Sequence, residues 1–522
     1  MKKMISVLAL LLTLCMISSV ALADPFEPKK DGGVKGGTLL IQNATSDPQS
    51  WNPDYKGDDN LWPMAQNIYN RLIKLAAGDG IDPDLAESYE FTNDGKDLVF
   101  HLHEGVVWHD GVPFTSADVK WTYDTIINDS WAYSTSLSSI DSIECPDDNT
   151  VIMHLKAADV TIIAKLAWYG TFILPQHIYE GKDVAETSIL ESSCVGTGPY
   201  KLESYESGVQ TTLVKNENFW GDEPQLDKLV FLIIGDEDTA YQAFLNGEAD
   251  YLYSVPAANT FDLDDDPNYR VVVNLWQNRT YITFNFNDPD FGKVEVRQAV
   301  AKAIDRQGIF DRVGGGGQLA EYFISPLQVD YVDTQYKMPD RDLEGAIALL
   351  ESAGYTKDDN GFYLHTTFDL FEDSQFSDIA QIVKANLAEV GIDLTINIME
   401  IGAWMEKVID NANYSMCMLA GYQGPDVSGV ANRVQTGAGT NLALYSNPEV
   451  DAALEASNVE TDIAKRAEYL SIVQKCMCED MPMVFLIENG SHYPIRQDIV
   501  GTPYDVPELA AASEMTYAAF SK

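Results

Sequence analysis

The sequence predicts a mixed α/β fold, because segments with helical periodicity alternate with segments that have the period of a strand. In the clearest case, an apolar helical stripe from Ile379 to Val390 stops at Gly391, and a strictly alternating run over 392–398 follows. A buried strand at 229–234 is likewise followed by a helix at 240–246 that Gly247 ends. The 522 residues suffice for about three domains.

The remaining elements follow from local patterns. The N-terminal half predicts strands at 36–41, 97–103 and 149–155 and a helix at 62–75. Another helix begins after Thr115, which can cap it because Asp118 occupies the capping-box position. In the C-terminal half, apolar residues at every fourth position predict a helix over 294–306, and Gly314 to Gly317 predict a flexible loop.

The N-terminus has the three parts of a secretory signal peptide over residues 1–23. Lys2 and Lys3 precede an apolar run from Ile5 to Ile17, and Ala21-Leu22-Ala23 supplies the small residues that a signal peptidase recognises. The run is too short to span a bilayer comfortably, which takes about 20 residues. We therefore expect cleavage after Ala23, in preference to lipid attachment at Cys15, and a periplasmic or extracellular protein at the outer face of the cytoplasmic membrane.

Charge and cysteine content narrow the classes of partner. The formal net charge of −46 repels phosphate backbones and argues against nucleic acid and anionic lipid as partners. The acidity fits either a solvated, salt-adapted surface or a preference for cationic ligands, and the first is the simpler interpretation. Five cysteines follow the signal peptide, so at least one of them has no partner within the chain, and none has the spacing of a zinc site.

Five stretches of this sequence, in order, resemble the family 5 solute-binding proteins of ABC transporters, the oligopeptide, dipeptide and nickel-binding type. Together they extend over nearly the whole chain, which makes the resemblance far more specific than any single motif. The stretches are Asp84–Ser88 with Phe100–Val119; Val195–Tyr200 with Asn216–Trp220 and Leu226-Asp227; Leu245–Asp250; Phe284-Asn285 with Val296–Val300 and Ala303–Arg306; and Tyr445–Asp451 with Arg466 and Asp480–Pro482.

The resemblance implies a type II periplasmic-binding-protein fold, in which two α/β lobes are joined by a hinge and an extra domain is inserted in lobe I. Mapped onto this sequence, lobe I comprises residues 24–70, 190–272 and 490–522. The inserted domain is 71–189, and lobe II is 273–489.

Two motifs that could suggest other chemistry have simpler structural interpretations. Gly196-Thr197-Gly198-Pro199 lacks the Lys-Ser/Thr of a phosphate-binding loop and is better explained as a tight turn. His101 and His103 share one strand face with His109 nearby, a spacing that could hold a metal. Exposed strand histidines are the default interpretation, and we predict no metal and no cofactor.

The resemblance places the ligand site between the lobes. Peptide-binding members carry a Trp-x-x-Asp-Tyr-type stretch whose carboxylate meets the ammonium of the peptide. The corresponding stretch here is 420–426, where Tyr422 supplies the aromatic ring and Asp426 is displaced behind a proline. Arg433 could pair with a ligand carboxylate or form a surface ion pair. The further candidates are Trp276, Asn278 and Asn285 at the hinge crossing and Trp404 beside the cleft, whose alternative role is core packing.

The implied function is capture of a small ligand, an oligopeptide or dipeptide, for delivery to the permease subunits of an ABC importer. A monomer that closes on its ligand needs no catalytic group, and the sequence has no nucleophile elbow, HExxH or paired Cys/His motif. The alternatives are a periplasmic hydrolase or peptidase, and a ligand-binding sensor on the same fold.

Mass analysis of the exported protein should find Asp24 as the first residue, because Ala21 and Ala23 occupy the positions that the peptidase recognises. A lipid-modified Cys15 at the N-terminus would contradict this prediction and make the protein membrane-anchored.

Overall fold

The computed structural model describes residues 33–75, 81–168, 171–252, 255–256, 259, 261–424, 426–503 and 514–521. The predicted signal peptide lies outside these residues. In the described part of the chain, none of the helices has the length and apolar character needed to cross a membrane.

Strands and helices alternate through most of the chain, as the sequence predicts. The strands are β1 Gly33–Val34, β2 Thr38–Ala44, β3 Ile73–Leu75, β4 Ile81–Pro83, β5 Ala86–Thr92, β6 Asp97–Leu102, β7 Ile140–Asp147, β8 Thr150–Leu155, β9 Tyr200–Glu206, β10 Gln210–Lys215, β11 Lys228–Ile233, β12 Tyr251–Leu252, β13 Tyr269–Phe284, β14 Gln318–Leu319, β15 Leu364–Phe371, β16 Ile392–Met399, β17 Met416–Tyr422, β18 Met483–Arg496, β19 Ile499–Val500 and β20 Ala519–Ser521. The helices are α1 Trp62–Ile68, α2 Ser116–Asn128, α3 Ile162–Leu166, α4 Gln176–Tyr179, α5 Val184–Ser188, α6 Glu237–Leu245, α7 Val294–Ala303, α8 Arg306–Val313, α9 Leu343–Ser352, α10 Ser374–Glu389, α11 Ile401–Trp404, α12 Ala431–Val434, α13 Pro448–Ser457 and α14 Ile463–Asp480.

A long sheet runs through the molecule in the order β16-β15-β17-β13-β18-β12-β2-β11-β10-β9. Its two ends are built around parallel strands, β15 with β16 and β17 on one side and β2 with β11 and β12 on the other. The antiparallel strands β13 and β18, of 16 and 14 residues, connect these two ends. A separate four-stranded sheet, β5-β6-β8-β7, forms from residues 86–155.

Two main hydrophobic cores divide the buried residues. The first joins Leu39 and Ile41 of β2 to Leu98 and Phe100 of the four-stranded sheet, so that sheet shares its core with the β2 end of the long sheet. The second extends from Tyr281 to Ile487 without residues from the first half of the chain. The architecture is therefore the predicted mixed α/β fold with two lobes.

Two predicted helices end earlier than their apolar patterns. The helix predicted at 62–75 stops at Ile68, because Tyr69 is extended (φ −116°, ψ 152°) and the Ile68 carbonyl accepts the Gly198 amide at 2.9 Å. The helix predicted at 294–306 breaks at Ile304, and Asp305 begins α8 by accepting the Gly308 amide. Both apolar stripes are buried as predicted, but the backbone follows competing hydrogen bonds.

A capping box and two terminal glycines are confirmed. The Thr115 amide donates to the Asp118 carboxylate at 3.0 Å and starts α2. Gly247 and Gly391 follow α6 and α10 with positive φ angles of 76° and 77°, a conformation that favours glycine.

His109 joins two of the stretches that carry the family resemblance. Its backbone amide donates to Gly196 O at 2.9 Å, and the Gly196 amide donates to Nδ1 of the ring at 3.2 Å. Because Nδ1 is an acceptor, Nε2 carries the proton and donates to Gly198 O at 3.0 Å. Burial lowers the pKa of His109 to about 4, which keeps the ring neutral.

The Gly196–Gly198 turn packs directly against the end of α1. A Cβ atom on Gly196 would stand 1.8 Å from Ile68 O, and one on Gly198 would stand 2.6 Å from Asn67 O. Only glycine fits this close backbone approach. The turn is a packing element of the fold, which agrees with its structural interpretation from the sequence.

His109→Gln should reduce the loss of stability on acidification. An unfolded histidine takes up a proton below pH 6.5, whereas the folded ring stays neutral to about pH 4, so its contribution to stability is lost as the pH falls through this window. Urea unfolding at a series of pH values should show that the wild type loses about 2–3 kcal/mol more than the variant between these limits.

The matched control is His101→Gln, since His101 is exposed on β6. Its pH profile should follow the wild type, and parallel profiles for all three proteins would contradict a role for the His109 ring.

Candidate functional site

The parallel strands of both lobes end on the sides that face the hinge. Strand β17 runs antiparallel to β13, so its last residue, Tyr422, lies opposite Asn278. Strands β15 and β16 are parallel to β17 and end at the same edge. In the other lobe, β12 is antiparallel to β18 and parallel to β2, so its carboxyl end also points to the crossing. Ligands of open α/β sheets bind outside the carboxyl ends of strands.

A β-bulge marks the crossing itself. Leu275 pairs with Gly490 and Asn278 pairs with Asn489, so Trp276 and Gln277 have no counterpart on β18. Bulges increase local twist and re-aim side chains, which suits a hinge. The backbones of Trp276 and Tyr422 are thus at the predicted position, while their side chains lie outside what the structure describes.

Asn278 belongs to a small polar network on one face of the sheet. The Asn489 amide donates to Asn278 Oδ1 at 2.8 Å and to Thr280 Oγ1 at 3.0 Å. Among the described residues, the Asn278 amide nitrogen has no acceptor, so it is a donor available beside the bulge. Sequence reasoning missed Asn489, because no local pattern pairs it with a residue 211 positions earlier.

Arg433 lies against the opposite face of β13. Its Nε donates to the Tyr281 hydroxyl at 3.3 Å, and its Nη1 donates to Gly429 O at 3.4 Å. Tyr281 and Asn278 are three residues apart in a strand and therefore point to opposite faces. The predicted ligand residues consequently do not form one constellation, although Arg433 and Asn278 are both close to the end of β17.

Asp426 forms an ion pair within lobe II. Arg466 donates to both carboxylate oxygens, at 2.6 and 2.9 Å, and the side chains of Arg466 and Asp426 are 6% and 13% exposed. Burial acts to raise the pKa of Asp426, but the charge of Arg466 and the hydrogen bonds from Arg466 and Ser428 together outweigh it and hold that pKa below its usual value. The expectation that Asp426 meets a ligand ammonium is therefore corrected, because its charge is already neutralised.

Asn285 and Trp404 are packing residues. The buried Asn285 amide donates to Ala412 O at 2.9 Å and Tyr414 O at 2.8 Å, which fixes the chain before β17. The Trp404 indole donates to Asp369 O at 3.2 Å, and its ring is 3% exposed. Trp404 lies at the carboxyl end of β15, but core packing, its alternative role, is the one that the structure describes.

A buried ion pair joins β13 and β18 directly beside the crossing. Arg279 Nη2 lies 2.8 Å from Glu488 Oε1, and their side chains are 1% and 2% exposed. The same guanidinium donates to Phe323 O and Tyr322 O and stacks on Phe485. Burial lowers the pKa of Arg279 and raises that of Glu488. No local sequence pattern predicts this pair, because its members lie on different strands.

The glycine-rich segment predicted as a flexible loop packs against β18. A Cβ atom on Gly316 would stand 2.1 Å from the His492 ring, and one on Gly317 would stand 2.2 Å from Glu488 O. Strand β14, which follows, pairs with Glu488 and Ile487. The glycines allow this segment to lie directly on the strand that crosses between the lobes.

The three histidines considered as metal ligands do not converge. His103 pairs with Glu87 at 3.1 Å and stacks on Trp220, His109 is held by the glycine turn, and His101 is exposed. Within the described ranges, no group of three or more His, Cys, Asp or Glu side chains could hold a metal ion.

Residues 80–441 match the model of the bacterial extracellular solute-binding proteins, family 5. The chain belongs to this family. Among its relatives, the oligopeptide-binding protein AppA of Bacillus subtilis is 26% identical over 97% of this chain and 95% of its own. The dipeptide-binding protein of Escherichia coli is 25% identical over 89% and 92%.

Solved structures share the fold of this family 5 protein. The unliganded open form of MppA, a periplasmic murein tripeptide binding protein, gives a TM-score of 0.84 at 19% identity and covers 94% of this chain and 99% of its own. AppA of Bacillus subtilis in complex with a nonapeptide gives 0.70 at 23% identity, with 94% and 100% covered. The resemblance predicted from the sequence is confirmed: this is a two-lobed solute-binding protein, from a family of binding proteins rather than enzymes.

Arg466→Ala should lower the free energy of unfolding by about 3–5 kcal/mol, because it leaves the Asp426 carboxylate buried without its partner. Urea unfolding checks this value. The double variant Asp426→Asn/Arg466→Met should recover much of the loss, since it removes both charges, and an unchanged stability in Arg466→Ala would contradict the buried pair.

Proposed function

We propose that this protein is the receptor of an ABC importer that captures a peptide between its lobes and delivers it to the permease subunits. It acts as an exported monomer outside the cytoplasmic membrane. Two relatives that extend over most of the chain are an oligopeptide-binding and a dipeptide-binding protein, which supports a peptide as ligand.

The observation that carries this proposal is the orientation of the parallel strands. In both lobes they end toward the crossing of β13 and β18, so two ligand-binding edges face each other across a two-strand hinge. A ligand that touches both edges binds the closed arrangement better than the open one and shifts the population toward closure. This is capture without a chemical step.

The described arrangement corresponds to the ligand-free state in this proposal. Two solved structures that each cover 94% of this chain differ in their TM-score against it. The unliganded open form of MppA gives 0.84, and AppA with its nonapeptide gives 0.70. The DppA structure from Helicobacter pylori with the peptide STSA gives 0.69. A rigid rotation of one lobe relative to the other lowers the TM-score even when the fold of each lobe is unchanged. The higher score of the open form therefore supports a ligand-free arrangement for this chain.

Recognition in this proposal uses the end of β17 and the bulge. The Asn278 amide offers a donor to a peptide carbonyl on one face of β13, and Arg433 offers a guanidinium to a peptide carboxylate on the other face. The proposal also assigns Trp276 and Tyr422 to the site, because their backbones lie at the bulge and at the end of β17. Asp426 does not take the peptide ammonium, because Arg466 neutralises it.

The division into domains remains part of the proposal. Lobe I is assigned residues 24–70, 190–272 and 490–522, the inserted domain 71–189, and lobe II 273–489. The two cores support this division, because the four-stranded sheet shares the first core and 281–487 form the second. The boundaries at 273 and 489 fall beside the bulge.

A hydrolase or peptidase, and a sensor on the same fold, are the alternatives. No specific arrangement favours a hydrolase: among the described residues, Ser, Cys and His side chains do not form a nucleophile and base pair. A sensor differs from a transport receptor in its membrane partner rather than in its ligand cleft.

Arg433→Ala should weaken peptide binding about ten- to a hundredfold, the range expected on losing a hydrogen bond to a charged group. Calorimetric titration with a synthetic oligopeptide library measures this loss. Small-angle scattering of the wild type should show a smaller radius of gyration at saturation, because the lobes close.

Arg433→Lys is the matched control, since it keeps the charge and loses the planar fork, and it should bind with intermediate affinity. Equal affinity in all three proteins would remove Arg433 from the site. An unchanged radius at saturation would contradict the clamp, and sustained cleavage of the peptides would favour a hydrolase.

A further inference from the structure

The predicted inserted domain contacts lobe II at a point apart from the hinge strands. The Val160 amide, between β8 and α3, donates to Asn458 O at 2.9 Å. Asn458 is the residue that ends α13. The predicted inserted domain and lobe II are therefore connected by this backbone hydrogen bond, in addition to the two strands that cross between the lobes.

Two tyrosines, one from each side, also interact electrostatically. Burial raises the pKa of Tyr89 on β5, and the electrostatic influence of Tyr331 in lobe II raises it further. Tyr331 in turn accepts a hydrogen bond from Arg466 Nη1 at 3.3 Å. The lobe II side of the contact is thus built around the Arg466 guanidinium.

Arg466 also links the contact to the edge where β17 ends. Its Nε donates to Ser457 O at 3.1 Å, one residue before Asn458, and its other nitrogens hold the Asp426 carboxylate. Asp426 lies in the segment that follows β17. One rigid guanidinium therefore fixes both the Asn458 end of the contact and the segment at the proposed ligand edge.

The contact is narrow. Apolar side chains on the lobe II side remain in solvent, since Val329, Val459 and Ile463 are 60%, 49% and 39% exposed. An interface that covered this region would bury them. A single hydrogen bond without an apolar surround can be broken at little cost, so this contact suits a reversible role.

We propose that the Val160–Asn458 hydrogen bond is a brace that holds the lobes in the ligand-free arrangement and is released when they close. This inference depends on the proposed clamp function. The hydrogen bond joins the two bodies that move relative to each other, and a displacement that takes its atoms beyond about 3.5 Å breaks it. Its contribution to the ligand-free arrangement opposes closure and lowers the apparent affinity for ligand.

Val160→Pro removes the donor and tests the brace. Its matched control, Val160→Ala, shortens the side chain and keeps the amide. The proline variant should bind the synthetic oligopeptide library about two- to tenfold more tightly than the wild type, the value of one neutral hydrogen bond. Without peptide it should have a smaller radius of gyration, whereas the alanine variant should match the wild type in both measurements.

A reversible tether provides the second test, in case proline disturbs the turn around residue 160. Hydrogen-bonded backbones place Val160 and Asn458 near the Cα separation of about 4.4–6.8 Å that a disulfide needs. Val160→Cys/Asn458→Cys should lose peptide binding and compaction when oxidised and regain both on reduction. Mass analysis of the bond confirms that the tether has formed.

The outcomes separate the brace from the proposed function. Equal radius and affinity in the proline and alanine variants, or closure of the tethered protein, would overturn the brace. Weaker binding by Val160→Pro would show that the contact supports the closed form instead. If the wild type fails to bind peptide, the proposed ligand is wrong, and the radius without peptide still tests the brace.

Discussion

The antiparallel pairing of β13 with β18 determines how the two lobes are joined and where the neighbouring strands end. These strands share one antiparallel ladder from Tyr269 to Thr283, and each end of that ladder is completed by the parallel strands of a different lobe. Because both strands continue from one lobe to the other, their direction decides where β12 and β17 end. The position of the proposed cleft follows from this pairing more than from any side chain.

The elements that could be predicted from the sequence are those whose pattern and local hydrogen bonds agree. Helix α10 and strand β16 were predicted because an apolar stripe, a glycine stop and a strict alternation coincide. The residues after Ile68 have an equally apolar pattern. The Ile68 carbonyl, however, accepts a hydrogen bond from the Gly198 amide, which belongs to a distant part of the chain. The 3.6-residue periodicity of a helix carries no information about a hydrogen-bond partner 130 residues away, so the predicted helix is longer than the observed one.

The candidate site was predicted less well, and for a related reason. The hinge crossing near Asn278 followed from the family resemblance, but Asn489 and the Arg279–Glu488 pair depend on contacts between strands. The position of Asp426 along the chain predicts a ligand group. The fold places Arg466 beside Asp426, and the resulting ion pair makes Asp426 a structural residue rather than a ligand-binding one. Sequence position identifies where a carboxylate is, whereas its partner decides what it can bind.

The two cores also have consequences for how the chain folds. The buried residues of the second core come from one stretch of the chain, residues 281–487, so no earlier or later segment contributes to that cluster. The first core includes Tyr493, Ile495, Met515 and Ala518, so it cannot be completed until these late residues of the chain are available. In the proposed export through a secretion channel, the N-terminus leads, so this half of the chain stays unfinished until translocation ends. Domains generally fold as units in such multidomain chains, and here the lobe that emerges first is the one that is completed last.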